Sequence, residues 1–117
     1  MPVTSFQTVQ NQRDSSILFI NTENSGNNRQ IRSQRSKGVG NCWITWCTKE
    51  DDFPSHHIQI VDKDSNAVID FIWQHGDFVR VSQTGFEDPA EEIEGESKVG
   101  GSYDLVVTMD GVKTETA

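Results

Sequence analysis

The chain cuts its apolar residues into short runs and separates every run by residues that turn a backbone. The runs are Ile17 to Asn21, Gln30 to Gln34, Cys42 to Thr48, His57 to Asp62, Ala67 to Trp73, Asp77 to Ser82 and Tyr103 to Met109. Between them stand Asn24-Ser25-Gly26-Asn27, Gly38-Val39-Gly40, Lys63-Asp64-Ser65-Asn66, His75-Gly76 and Gly100-Gly101, all tolerant of left-handed or tight-turn geometry. No stretch keeps the 3.6-residue apolar period of a helix. About seven short strands punctuated in this way predict an all-β fold, an antiparallel β-sandwich of jelly-roll or immunoglobulin-like type with little or no helix.

A chain of 117 residues suits one domain. Residues 1 to 15 are rich in Gln, Thr and Ser with Val3, Phe6 and Val9 as their spaced apolar groups, so they read as an N-terminal arm or edge strand before a single sandwich domain over 16–117. Only 33% of the residues are hydrophobic and the mean hydropathy is −0.59, which predicts a thin core. No apolar run approaches the roughly 18 residues of a membrane helix, and Met1 to Ser16 has neither the charged start nor the apolar middle of a signal peptide.

Charge removes one class of partner. The formal charge is −8, and a phosphate backbone is bound by Lys and Arg that displace counterions, so nucleic acid is not expected. Residues 1 to 40 carry five basic and two acidic side chains, and residues 41 to 117 five basic and sixteen acidic: an acidic body with a basic front segment, Arg29 to Lys37, to which no function is assigned. Cys42 and Cys47 lie five residues apart in an extended β-branched and aromatic segment, leaving from opposite faces about 16 Å apart, beyond the reach of a disulfide. Two free thiols and no Asn-x-Ser/Thr site favour a cytoplasmic address, with unconventional secretion the other route left open.

Residues 57 to 82 allow a register test. With Lys63 to Asn66 as a four-residue loop, Val61 faces Val68, Ile60 faces Ile69, Gln59 faces Asp70 and Ile58 faces Phe71. With Gln74-His75-Gly76 as a three-residue loop, Ile72 faces Phe78, Phe71 faces Val79, Asp70 faces Arg80 and Ile69 faces Val81. Both hairpins then give one inner face of Ile58, Ile60, Ile69, Phe71, Val79 and Val81. The opposite face carries the polar row Gln59, Asp70 and Arg80 beside His57, Ile72 and Phe78, with Trp73 at the rim. Converging hydrogen-bonding groups beside an apolar platform suit a saccharide, so the expected ligand-binding residues are Gln59, Asp70, Arg80, Phe78, Trp73 and His57. A plain cross-strand ion pair and a covered apolar patch fit the same residues. Of Trp43 and Trp46, on opposite faces of their strand, one is expected in the core and the other exposed or over an edge.

Other motifs fail on spacing. Asp62-Lys63-Asp64-Ser65-Asn66 opens like a calcium loop, but Ala67 and Trp73 stand where the EF-hand needs Gly and Glu, so a hairpin turn explains it better. The acidic run Glu87, Asp88, Glu91, Glu92, Glu94 and Glu96 reads as a solvated loop. Adjacent His56 and His57 project to opposite sides and form no zinc site, and no phosphate loop or nucleophile elbow occurs. Asp70 and Asp77, on opposite faces, make no glycosidase pair. No metal, cofactor or catalytic centre is expected.

The residues Ile60-Val61-Asp62, Asp64 and Phe71-Ile72-Trp73 faintly resemble the aegerolysins, small acidic β-sandwich proteins that recognise membrane lipids, over about sixteen positions. The Asp-Cys-Pro-Trp that this family places at the tryptophan is absent, since Gln74-His75-Gly76 follows Trp73, and no site residue is carried over. The sequence therefore leaves three expectations, all non-enzymatic. The first is a small lectin-like sandwich binding a saccharide or glycoconjugate through one outer sheet face. The others are an interaction protein or homodimer meeting a partner through Phe78 and Ile72, and an aegerolysin-like lipid-binding component.

Overall fold

Backbone pairing follows the apolar runs closely in the middle of the chain and departs from them toward both ends. The computed structural model describes residues 4–87 and 90–116. Ten strands form among these residues: β1 (Thr4–Asn11), β2 (Ile17–Asn21), β3 (Arg29–Ile31), β4 (Ser36–Trp43), β5 (Ile58–Asp62), β6 (Val68–His75), β7 (Phe78–Ser82), β8 (Glu91–Glu92), β9 (Gly101–Thr108) and β10 (Gly111–Thr116). Helix is limited to two 3-10 turns, Ser25–Asn27 and Glu50–Ser55. One sheet has the order β10-β9-β1-β4 and the other β3-β2-β5-β6-β7-β8, packed face to face as an all-β sandwich. No helix among the described residues is long and apolar enough to cross a membrane.

The sandwich is not purely antiparallel. β1 runs parallel to β9 and antiparallel to β4, which makes it an inner strand of its sheet rather than a loose arm or an edge. Its Phe6 meets Phe19 of β2 edge-on across the sandwich, with ring centroids 6.4 Å apart and both rings fully buried. Buried amides join the layers as well: Asn11 of β1 donates from Nδ2 to the Ile31 carbonyl of β3 at 3.0 Å. A thin apolar core is thus supplemented by side-chain hydrogen bonds between the layers.

The strand expected over Cys42 to Thr48 ends at Trp43. Beyond it the backbone crosses from one sheet to the other: Ile44 N–H still donates to Thr4, whereas Gln74 N–H donates to Thr45 and Cys47 N–H to Gln74. Cys42 therefore lies in the main core and Cys47 in a second apolar cluster, both as free thiols. Burial pushes the Cys42 thiol up to about 11, so it packs as a small apolar group.

Both predicted hairpins form, but with other registers. In β5–β6 the Val61–Val68 pair is as expected; a bulge between Ile60 and Val61 then moves Ile60 opposite Asp70, Gln59 opposite Phe71 and Ile58 opposite Ile72. In β6–β7 the connection is the two-residue turn Gly76-Asp77, which sets His75 opposite Phe78, Trp73 opposite Arg80 and Ile72 opposite Val81. Glycine with φ of +67° in the first turn position is the geometry of a tight hairpin, and it displaces the three-residue loop. The combined slip reverses the parity of β6. Ile58, Ile60 and Val79 remain in the core with Val81 and Ile69 packed at its margin, as expected, but Ile72 takes the place expected for Phe71. Asp70 turns inward while Phe71 and Trp73 turn outward. The Asp62 turn holds as read: Asp62 Oδ1 accepts from Asp64 and Ser65 N–H at 2.9 and 3.3 Å.

The outward face of the second sheet is roofed. Phe53 of the Glu50–Ser55 turn packs on Trp73 edge-on at 5.2 Å and on Phe71 at 5.5 Å, and Phe86 stacks on Trp73 at 5.9 Å. Within the acidic run, Ala90 and Ile93 are buried and Glu91–Glu92 pair with β7, so the backbone there is docked rather than a free loop, while the described acids Glu87, Glu91, Glu92, Glu94 and Glu96 stay exposed to solvent as expected; Asp88 lies outside the described residues.

Candidate functional site

The register slip dismantles the polar row expected on the second sheet. Asp70 is 4% exposed on the inner face, Trp73 is 0% exposed beneath Phe53 and Phe86, and Gln59 and Arg80 no longer flank Asp70. His57 is buried, stacked on Phe53 with centroids 4.3 Å apart, and its Nδ1 lies 2.5 Å from the Phe53 carbonyl. A neutral ring that donates from Nδ1 leaves Nε2 to accept from Gln59 Nε2 at 2.8 Å, which satisfies both nitrogens. Burial lowers the His57 pKa accordingly. Arg80 sits over the Phe78 ring, 5.2 Å from its centroid, and donates to the Ala90 carbonyl at 3.0 Å, fixing the roof. These residues are assembled as structure, and Ile72, buried in the core, is not presented to a partner.

An exposed aromatic beside amides lies instead on the first sheet. Trp43 is 63% exposed at the end of β4, and its strand partner is Ser5. Ser5 hydrogen-bonds Gln7 and Ser102 on the outward side, while the adjacent Phe6–Cys42 pair is buried, so Trp43 faces outward. Just before Trp43 the strand bulges: Phe6 pairs with Cys42 and Thr8 with Gly38, so residues 39–41 span the single residue Gln7. Gly40 and Asn41 take this up in left-handed conformations, with φ of +71° and +55°. A left-handed non-glycine residue costs of order 1 kcal/mol and persists only where its surroundings fix it. Here Gln7 Nε2 donates to Asn41 Oδ1, aiming the Asn41 amide outward.

The Asn21–Asn28 turn supplies the other wall of a groove of about 330 Å³ lined by Asn21, Glu23, Asn24, Asn27, Gly40, Asn41 and Trp43. Its four asparagines divide into two kinds. Asn21 and Asn27 are buried; Asn27 Nδ2 donates to the Val39 carbonyl at 2.7 Å and Asn21 Nδ2 to Asn27 Oδ1 at 3.3 Å, which holds the turn against β4. Asn24 and Asn41 are exposed, each with its oxygen occupied, by Gly26 N–H and by Gln7. Their Nδ2 groups have no partner among the described residues, which leaves two amide donors for a ligand's acceptors. Glu23 accepts from Thr45 Oγ1 at 2.6 Å through Oε2, with His56 Nδ1 3.3 Å from the same oxygen but off the hydrogen-bonding direction; Oε1 remains an open acceptor. The groove thus presents an indole face, two amide donors and a carboxylate acceptor, with the Arg29 guanidinium beside it, Nη2 lying 3.7 Å from where a Cβ on Gly40 would stand.

Of the two tryptophans, one of which is expected in the core, Trp43 is exposed and Trp46 is half-buried against the second sheet, so neither enters a core cluster. In the sequence Asn24, Asn27 and Gly40 read only as turn punctuation, and Asn21 and Asn41 as parts of strand segments. Comparisons of the chain with protein-family models, with curated proteins and with solved structures found no match, and none supports the aegerolysin likeness.

Proposed function

We propose that this chain is a non-catalytic carbohydrate-binding β-sandwich whose site is the Trp43 groove. The observation that carries the reading is an indole 63% exposed beside the amides of Asn24 and Asn41. A hexose offers an apolar C–H face and a rim of hydroxyls that donate and accept, which matches a flat aromatic platform with separate donors and an acceptor. The Glu23 carboxylate in the lining and the charge of −8 favour neutral over sialylated or sulfated sugars, and the nearby Arg29 guanidinium is engaged through Nη1 by the Gly26 and Asn28 carbonyls. Free buried thiols fit a reducing compartment, and we assign the protein to the cytoplasm.

A lipid-binding component needs its exposed apolar side chains on one side. Trp43 and Met109, 63% and 59% exposed, stand at opposite ends of the first sheet, since Trp43 pairs near the start of β1 and Met109 follows the strand that pairs with its end. The saccharide reading therefore accounts for Trp43 better. A broad glycan array tests it, with Trp43→Ala, Asn41→Ala and an Asp70→Ala, Arg80→Ala double variant beside the wild type. We expect neutral glycans to be bound by wild type and to be lost at least tenfold in the first two variants, with retention in any double variant that still folds. Silence of a folded wild type, or binding indifferent to Trp43, overturns the proposal.

A further inference from the structure

The edge of the sandwich away from Trp43 holds a different cavity. A cleft of about 640 Å³ lies between β6, β7 and β8 of one sheet and the β9–β10 turn of the other. Six carboxylates line it, from Asp70, Glu87, Glu91, Glu92, Glu94 and Asp110, and no Lys or Arg does so among the described residues. Surface acids alone are commonly no more than a solvated rim. Asp70 is different: it is 4% exposed, it lines the cleft, and it has no hydrogen bond or ion pair among the described residues. A buried, unpaired carboxylate is costly, and its cost is removed when a cation arrives.

Nothing nearby meets that need fully. Arg13 is the charged group that acts on Asp70, but its Nη1 donates to the Thr108 carbonyl at 3.0 Å and its Nη2 lies 3.8 Å from Asp62. Gly111, with φ of +143°, stands on the other side, where an added Cβ would lie 3.5 Å from Asp70 Oδ2.

We infer that this cleft binds a small organic polycation, an aliphatic oligoamine whose innermost ammonium group pairs with Asp70. The distribution of acids selects this class over a metal ion. No three His, Cys, Asp or Glu side chains among the described residues gather closely enough to hold a metal. The negative charge is spread along the cleft, which suits several ammonium groups on one chain, and Val81 and Val112 offer apolar contact to the methylenes between them. The volume falls within the range of about 300 to 1,000 Å³ usual for small-molecule sites.

Isothermal titration with spermine at fixed ionic strength tests this, with calcium chloride as the comparison. The expected result is saturable one-to-one spermine binding, weakened at least tenfold in Asp70→Asn, two- to fivefold in Asp110→Asn and not at all in Trp43→Ala, with calcium much weaker. Absence of saturable spermine binding, equal affinity in Asp70→Asn, or displacement of spermine by equimolar calcium overturns the inference. If Asp70→Asn does not fold, the exposed Asp110→Asn decides: unchanged spermine affinity there overturns it.

Discussion

Trp43 and Trp73 each lie on the outward face of a sheet, yet one is 63% exposed and the other fully buried. The difference comes from the segments that pack over each strand. After β4 the chain crosses to the other sheet and then makes the Glu50–Ser55 turn, which carries Phe53 onto Trp73; the segment before β8 adds Phe86 and Ala90. Among the described residues nothing comparable covers β4, where the Gly40-Asn41 bulge ends regular pairing and the asparagine turn stops at the wall of the groove. Strand parity decides which face a residue occupies. Loop packing decides whether that face meets solvent.

Substitution at the two tryptophans separates these roles most sharply. Trp73→Ala removes a ring packed on Phe53 and Phe86, and urea unfolding should register a loss of about 3–5 kcal/mol. Trp43→Ala should change stability by no more than about 0.5 kcal/mol, as expected for an exposed side chain, while removing glycan binding. Equal destabilisation by the two would break the comparison.

A smaller effect concerns the inward face that the register slip created. Burial raises the Asp70 carboxyl to about 6. An unfolded aspartate releases its proton near 4, so between the two values the folded protein holds the extra proton. The contribution is fully present below about pH 4 and is lost as pH rises through about 6. Without a bound cation, Asp70→Asn should therefore gain up to about 3 kcal/mol at pH 7, judged by denaturant midpoint, and much less at pH 4.

His57 works in the opposite sense, because burial lowers its pKa. Its neutral form supports the roof, and this contribution is present above the unfolded value near 6.5 and lost as pH falls below it. Removing Asp70 unmasks that dependence: Asp70→Asn should lose stability steadily from pH 7 to pH 5, and a flat profile would contradict the buried neutral imidazole. The smallest effect is optical. Acrylamide should quench wild-type tryptophan emission markedly and Trp43→Ala much less, because the remaining indoles are half-buried or buried.

Much of the architecture was legible in the residue pattern. β2 runs over Ile17–Asn21 as read, and β5, β7 and the Asp62 turn lie within one residue of expectation, because alternating β-branched residues and an Asx turn are local signals. The position of β1 was not, since its place between β9 and β4 depends on pairing with residues about a hundred positions away. The site was lost through two small features. The Ile60–Val61 bulge has no residue signature of its own, whereas Gly76-Asp77 is a recognised two-residue turn that a longer loop had overridden. Together they moved Asp70 from the outer row to the floor of an acidic cleft. Trp43 was visible as an exposed candidate, but its partners Asn24 and Asn41 come from a turn and from a strand bulge and meet only in the folded chain.

The three tryptophans give three indole N–H resonances, so a proton–nitrogen correlation spectrum can address each region at once. Titration with a neutral glycan selected on the array should move the resonance assigned by Trp43→Ala and leave that of Trp73 in place. Movement of the Trp73 resonance with Trp43 unmoved would contradict the account.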